Sequence, residues 1–164
     1  MILKHLTKNF YISLIIVFLI FLLDRISKIY VVTLASKNYD SELFSSKFLN
    51  INLIWNEGIA FGLLSFDHSS SYNILTSVIL FIIIIIFFMI IKNNNLKRYP
   101  LLMIFGGAIG NLYDRIVFKA VPDYIDFHIG EFHWFIFNVA DIFITLGVFF
   151  MISIELFNSN KQTL

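Results

Sequence analysis

Four apolar runs constrain this chain more than any other feature. A helix that crosses a bilayer needs about 20 mostly apolar residues. Residues 10–34, 72–91, 100–118 and 134–157 each meet that requirement, the second through the unbroken segment "VILFIIIIIFFMII". Hydrophobic residues make up 59% of the chain, above the roughly 45–50% usual for a soluble domain. The sequence therefore predicts an all-α integral membrane protein with four transmembrane helices, organised as one domain over residues 1–164 without internal repeat or long linker. Lys4 and Lys8 ahead of an apolar run imitate a signal peptide. The charged "DRISK" that follows is wrong for a cleaved leader, so this segment is expected to stay as the first span.

Charge supplies the orientation. A formal net charge of +1 gives no basic stripe, so nucleic acid is not an expected partner. Lys4, Lys8, Lys92, Lys97, Arg98 and Lys161 fall on one side, and Arg25, Lys28, Lys37, Lys47, Arg115 and Lys119 on the other. The counts are equal, but "KNNNLKR" concentrates its cations in a short loop. Arg25, Lys28 and Arg115 also have acidic neighbours. The positive-inside rule then places both termini in the cytoplasm.

With four spans, the exit of the first, the first loop, the exit of the third and the entry of the fourth share one membrane face. That face gathers Asp24, Lys28, Asn56, Asn111, Asp114, Arg115, Asp123, Asp126, Asn138 and Asp141. If the fourth span begins at Trp134, Asp141 lies about 10 Å inside it at about 1.5 Å per residue. A carboxylate at the centre of a span costs roughly 2.5–3.5 kcal/mol, so such groups face a protein interior or a wet cavity.

Each feature also has a plain structural reading. Asp24 and Lys28 are i, i+4 on one helix face, the spacing of an ion pair that holds a helix to its neighbour. The glycines of "GGAIGNLYDR" suit close helix packing. Residues 48–55, "FLNINLIW", alternate so that one face is wholly apolar, which predicts a short β element lying on the membrane face, followed by the turn residues of "NEGIAFG". His128 and His133 stand five apart, off the i, i+4 spacing of a helical ligand pair, and no cysteine or further histidine joins them, so a zinc site is not expected. The chain has no cysteine and no "GxSxG", which removes thiol nucleophiles and disfavours serine hydrolysis.

The carboxylates remain. Two aspartates close together in a low-dielectric site cannot readily both ionise, so one keeps a proton. One can then activate water while the other polarises a carbonyl. Asp141 is the natural first member, and Asp123, Asp126 and Asp114 are all open as the second. A proton-coupled carrier could also use intramembrane aspartates, but four unrepeated spans and polar groups confined to one face count against it. A purely structural scaffold would leave so many carboxylates unexplained.

The segments "DRISK", "NEGIAFG", "GGAIGNLYDR", "VPDYID" and "FNVAD" together resemble the lipoprotein signal peptidase (signal peptidase II) family in order and spacing, over nearly the whole chain. The resemblance implies an aspartic endopeptidase of the bacterial inner membrane, with cytoplasmic termini and a site toward the outer leaflet. Its substrates would be diacylglyceryl-modified prolipoproteins, cut just before the lipidated cysteine. No metal or organic cofactor is implied; the partners are the substrate and membrane lipids, and a monomer is expected. On the family's motifs the catalytic pair falls on Asp123 and Asp141. Supporting or substrate-binding positions fall on Asp24, Lys28, Asn56, Gly58, Gly107, Asn111, Asp114, Arg115, Asn138 and Ala140, with Ala60 and Gly110 among the small residues. A small β-platform is implied in the first extracytoplasmic loop. Pro122, Ile59 and Glu57 depart from the usual pattern; Pro122 would stiffen the loop before Asp123.

Overall fold

The computed structural model describes residues 2–58, 69–93 and 95–159. Ile59 and Ala60 lie outside them. The order of elements is α1 (Ile2–Asn38), β1 (Glu42–Ser45), β2 (Leu49–Asn56), α2 (Ser69–Lys92), α3 (Arg98–Phe118), β3 (Val121–Ile129), β4 (Phe132–Phe137) and α4 (Val139–Ser159). All four helices are long and apolar enough to cross a membrane.

The central helix is α3. It packs against α1, α2 and α4, and its most apolar stretch is 50% buried, against 11–17% for the other three. The outer helices expose Phe18, Ile29, Phe81, Phe88, Phe149 and many similar residues. In lipid such a surface is matched by its solvent, so helix association must come from close packing and polar contacts. Glycine supplies the packing. A Cβ on Gly107 would lie 2.5 Å from the Ala140 carbonyl oxygen of α4, and one on Gly110 would lie 2.6 Å from Asp24 Oδ2 of α1. Pro100 sits in the first turn of α3, where no N–H is needed. An apolar cluster of Ile90, Leu101 and Leu102, with Ile16, Ile86 and Met151 against it, holds the end of the bundle where α3 begins.

At the other end lies a four-stranded antiparallel sheet in the order β1-β2-β3-β4. The strand expected at 48–55 is β2 at Leu49–Asn56. The sheet is larger than the sequence indicates, because residues between the third and fourth expected spans form β3, and they form β4 together with the expected entry of the fourth span. The reason is tertiary: β3 pairs with β2 from Leu49↔Phe127 to Asn56↔Val121, so strands from two separate loops complete one ladder. Pro122 is a strand residue opposite Trp55, not part of a loop. The fourth span also starts later than expected. Residues 134–137 belong to β4 and α4 begins at Val139, so Asp141 is in its first turn and not deep within it.

Gly107→Val should overpack the contact between α3 and α4. The expected loss is about 1–3 kcal/mol, read as a lower thermal midpoint in detergent than for Ala108→Val. An unchanged midpoint would show that the two helices do not meet closely at Gly107.

Candidate active site

A buried ion network ties the helices together at the sheet end. Asp24 and Asp114 are fully buried and Lys28 is 2% exposed. Lys28 Nζ lies 2.9 Å from Asp24 Oδ1 and 2.7 Å from Asp114 Oδ2. Arg25 donates to Asp24 Oδ2 at 2.7 Å and grips Asp114 with both Nη atoms, at 2.5 and 2.6 Å. Two cations thus balance two carboxylates between α1 and α3. Asp24 Oδ1, which already meets Lys28, also accepts the Ala140 N–H at 3.2 Å, which brings in α4. Asp114, one of the open choices for the second catalytic carboxylate, is fully engaged here. Arg25 is the member that sequence reasoning left out of the site. The signal available was charge balance: two buried acids against Lys28 alone require another cation.

A polar chain leads from this network to Asp141. Lys28 Nζ donates to Asn111 Oδ1 at 2.8 Å, and Asn111 Nδ2 donates to Asp141 Oδ1 at 2.7 Å. Asn138, fully buried, stands between the two remaining aspartates. Its Nδ2 donates to Asp123 Oδ1 at 2.6 Å and to Asn111 Oδ1 at 3.2 Å. Its Oδ1 accepts the Asp141 N–H at 3.2 Å, while the Asp141 carboxylate accepts the Asn138 N–H at 3.1 Å. This reciprocal pair is a capping box on "NVAD", with Asn138 at the N-cap and Asp141 at the third helical position. The motif that starts α4 also fixes the orientation of Asp141.

Asp123 approaches from β3. Its Oδ2 accepts Asn56 Nδ2 from β2 at 2.8 Å, and Asn56 Oδ1 in turn accepts the Gly58 N–H. Burial and the nearby Asp141 charge push the Asp123 carboxyl up to about 6; the amides of Asn56 and Asn138 pull the other way. Residues three apart in a strand point to opposite faces, and Asp126 accordingly has other partners. It meets Asn50 Nδ2 at 3.3 Å and His133 Nδ1 at 2.9 Å. The structure brings Asp123, and not Asp126 or Asp114, to Asp141.

Arg115 lies close enough to Asp123 and Asp141 for its charge to interact with both. It donates to the Asn111 carbonyl on its own helix and to the Gly58 carbonyl at 3.3 Å, so it fastens the first loop to the end of α3. Glu57 is exposed. Beside Asp141 opens a largely apolar cavity of about 550 Å³, lined by Phe48, Phe127, Trp134, Phe137, Ile142 and Leu146 among others. The arrangement offers two carboxyls linked through one asparagine, a charge-balanced support behind them and an apolar space in front. These are the elements of acid–base attack by water on a membrane-embedded carbonyl.

Asp114→Asn leaves Arg25 and Lys28 with one carboxylate between them, and breaking such a buried pair costs about 3–5 kcal/mol. The expected outcome is a much lower folded yield and thermal midpoint in detergent; for Lys97→Met, whose partner Glu155 is exposed, little change is expected. Equal midpoints for the two variants would remove the network from the stability of the bundle.

The chain is similar to known proteins over most of its length. The family model described as "Signal peptidase (SPase) II" matches residues 16–157. A lipoprotein signal peptidase of Pelagibacter ubique (strain HTCC1062) is 54% identical over 156 residues, covering 95% of this chain and 94% of the relative. One from Anaplasma phagocytophilum (strain HZ) is 40% identical over 147 residues, covering 88% and 92%. Among solved structures, a bacterial membrane enzyme determined by the in meso method is similar with a TM-score of 0.69 and 27% identity, over 93% of this chain and 91% of that one.

Proposed function

The chain belongs to the signal peptidase II family, and on that premise we propose that it is an aspartic endopeptidase whose dyad is Asp123 and Asp141. Its reaction is removal of the signal peptide from prolipoproteins. The observation that carries the aspartic reading is the position of Asn138, which hydrogen-bonds both carboxyl groups and so holds them as a pair.

In the proposed cycle the pair shares one proton. The ionised member takes a proton from water, whose oxygen adds to the scissile carbonyl carbon. The protonated member gives its proton to the carbonyl oxygen. Collapse of the tetrahedral intermediate breaks the C–N bond as the first carboxyl returns its proton to the leaving nitrogen and the second takes back a proton from the diol, which releases the new carboxyl group and restores the singly protonated pair. Asn111, Asn138 and Asn56 fix the two carboxyls, and the Asp24–Lys28 pair anchors Asn111 from behind. Arg115 fastens the loop at Gly58 and lends its charge to the dyad.

The substrate in this reading is a diacylglyceryl-modified prolipoprotein cut just before its lipidated cysteine. The apolar cavity next to Asp141 suits acyl chains entering sideways from the bilayer. The short basic connection bearing Lys92, Lys97 and Arg98 lies at the far end of the bundle, which supports cytoplasmic termini and a site toward the outer leaflet of the bacterial inner membrane.

Asp123→Asn and Asp141→Asn should each lower cleavage of a diacylglyceryl-modified prolipoprotein by a factor of about 100–10,000 or more, while Asp126→Asn keeps most of its turnover. Loss at Asp126 equal to that at Asp123 would reassign the second member of the dyad. The pH profile provides a separate check. Beside a charged Asp141, the Asp123 carboxyl loses the shared proton near 6, so kcat/KM should fall as pH rises through that value. Asn56 stabilises the ionised form, so Asn56→Ala should move this limb to higher pH; a downward shift would contradict the assignment.

A further inference from the structure

The hairpin of β3 and β4 carries a second cluster that the dyad does not use. Asp126, His128 and His133 each present a donor atom within 4.8 Å of the other two. We propose that these three residues form a binding site for a divalent transition metal of the zinc type, on the face of the sheet away from Asp123.

The five-residue spacing of the histidines is wrong for one face of a helix but right for a tight hairpin. The chain turns at Gly130, whose φ of 59° suits a residue without a Cβ, and returns so that His128 and His133 are direct cross-strand partners. Their rings stack with centroids 4.9 Å apart and planes 17° from parallel. Asp126, two residues before His128, shares its face of the strand and is 4% exposed. Its carboxylate accepts Asn50 Nδ2 from β2 and lies 2.9–3.0 Å from His133 Nδ1.

Two features point to a ligand rather than to a simple brace. Among the described residues Nδ1 of His128 is buried with no hydrogen-bond partner, an uncompensated cost that a metal–nitrogen bond would remove. The donor set, two imidazoles and one carboxylate, leaves an open position, as in three-ligand zinc sites. Donors around tetrahedral zinc stand about 3.4 Å apart for bonds of about 2.1 Å. The three donors here lie within 4.8 Å of one another, so a bound ion would draw them together, and the half-exposed His133 side chain has room to move. Asn50 then acts as the outer hydrogen bond that orients the ligating carboxylate. A bound ion would clamp the hairpin that delivers Asp123 from one side and Asn138 from the other.

The test uses the full-length, untagged chain in detergent, stripped with a chelator and dialysed against Zn²⁺ alone, with Mg²⁺ and Ca²⁺ as comparisons. One zinc per chain is expected, with a higher thermal midpoint and, on substitution by Co²⁺, a visible absorption band of a four- or five-coordinate site. His133→Ala and His128→Phe should each weaken Zn²⁺ binding by more than about 100-fold, the upper end for an outer partner, and Asn50→Ala by about 10–100-fold. Asp123→Asn should leave stoichiometry and affinity unchanged, which separates this site from the dyad. Zinc retained equally in His133→Ala, or wild-type zinc no greater than the Mg²⁺ and Ca²⁺ comparisons, would overturn the proposal and leave the histidines as a stacked pair. His133 is exposed enough for its variant to fold if His128→Phe does not.

Discussion

The four charges of Asp24, Arg25, Lys28 and Asp114 are the interaction on which the site rests. Each carboxylate meets both cations, and the network carries no net charge. Buried ion pairs are seldom favourable against an apolar replacement, but removing one partner is severe. Their value here is positional. In lipid the apolar faces of the helices discriminate little between arrangements, whereas the network pairs Arg25 and Lys28 of α1 with one carboxylate of α3, Asp114. Through Ala140 N–H and Asn111 it extends to α4 and to Asp141.

The start of α4 is the second constraint. A helix must satisfy its first N–H groups, and this one does so with Asn138 and Asp141 acting on each other. The same asparagine reaches Asp123. A local need of the backbone and a geometric need of the chemistry are met by the same side chains. Asp141 is thereby held in the first turn of α4, where polar neighbours and the apolar cavity meet.

The sheet completes the pair from outside the membrane spans. β2 and β3 come from different loops, and their pairing sets Asn56 beside Asp123. Small residues make this closeness possible, since Gly107 and Gly110 let α4 and α1 approach α3 within reach of these hydrogen bonds. Arg115 belongs to the same economy, fastening Gly58 to the end of α3.

Much of this was legible along the chain. Uninterrupted hydropathy marks four spans, because a bilayer demands length and little else. Alternation marks β2, and i, i+4 spacing marks the Asp24–Lys28 pair, because both are local periodicities. The aromatic run "FHWFIF" has no alternation and reads as the entry of a span, so β4 and the true start of α4 were not visible. β3 escaped for a related reason, since its identity depends on a ladder with residues some seventy positions away. The role of Arg25 likewise needs a second helix to supply Asp114.

By residue types and their order alone, the chain determined its membrane class, its four spans and the set of carboxylates from which a catalytic pair could be drawn. Residue chemistry left the partner of Asp141 open and the family motifs pointed to Asp123; only the tertiary structure shows the contacts that set Asp123 beside it. A strand reverses its face at every residue, so Asp123 and Asp126 part company three positions apart. Which face turns toward α4 is set by pairing with β2 and by Asn138, contacts between segments far apart in sequence.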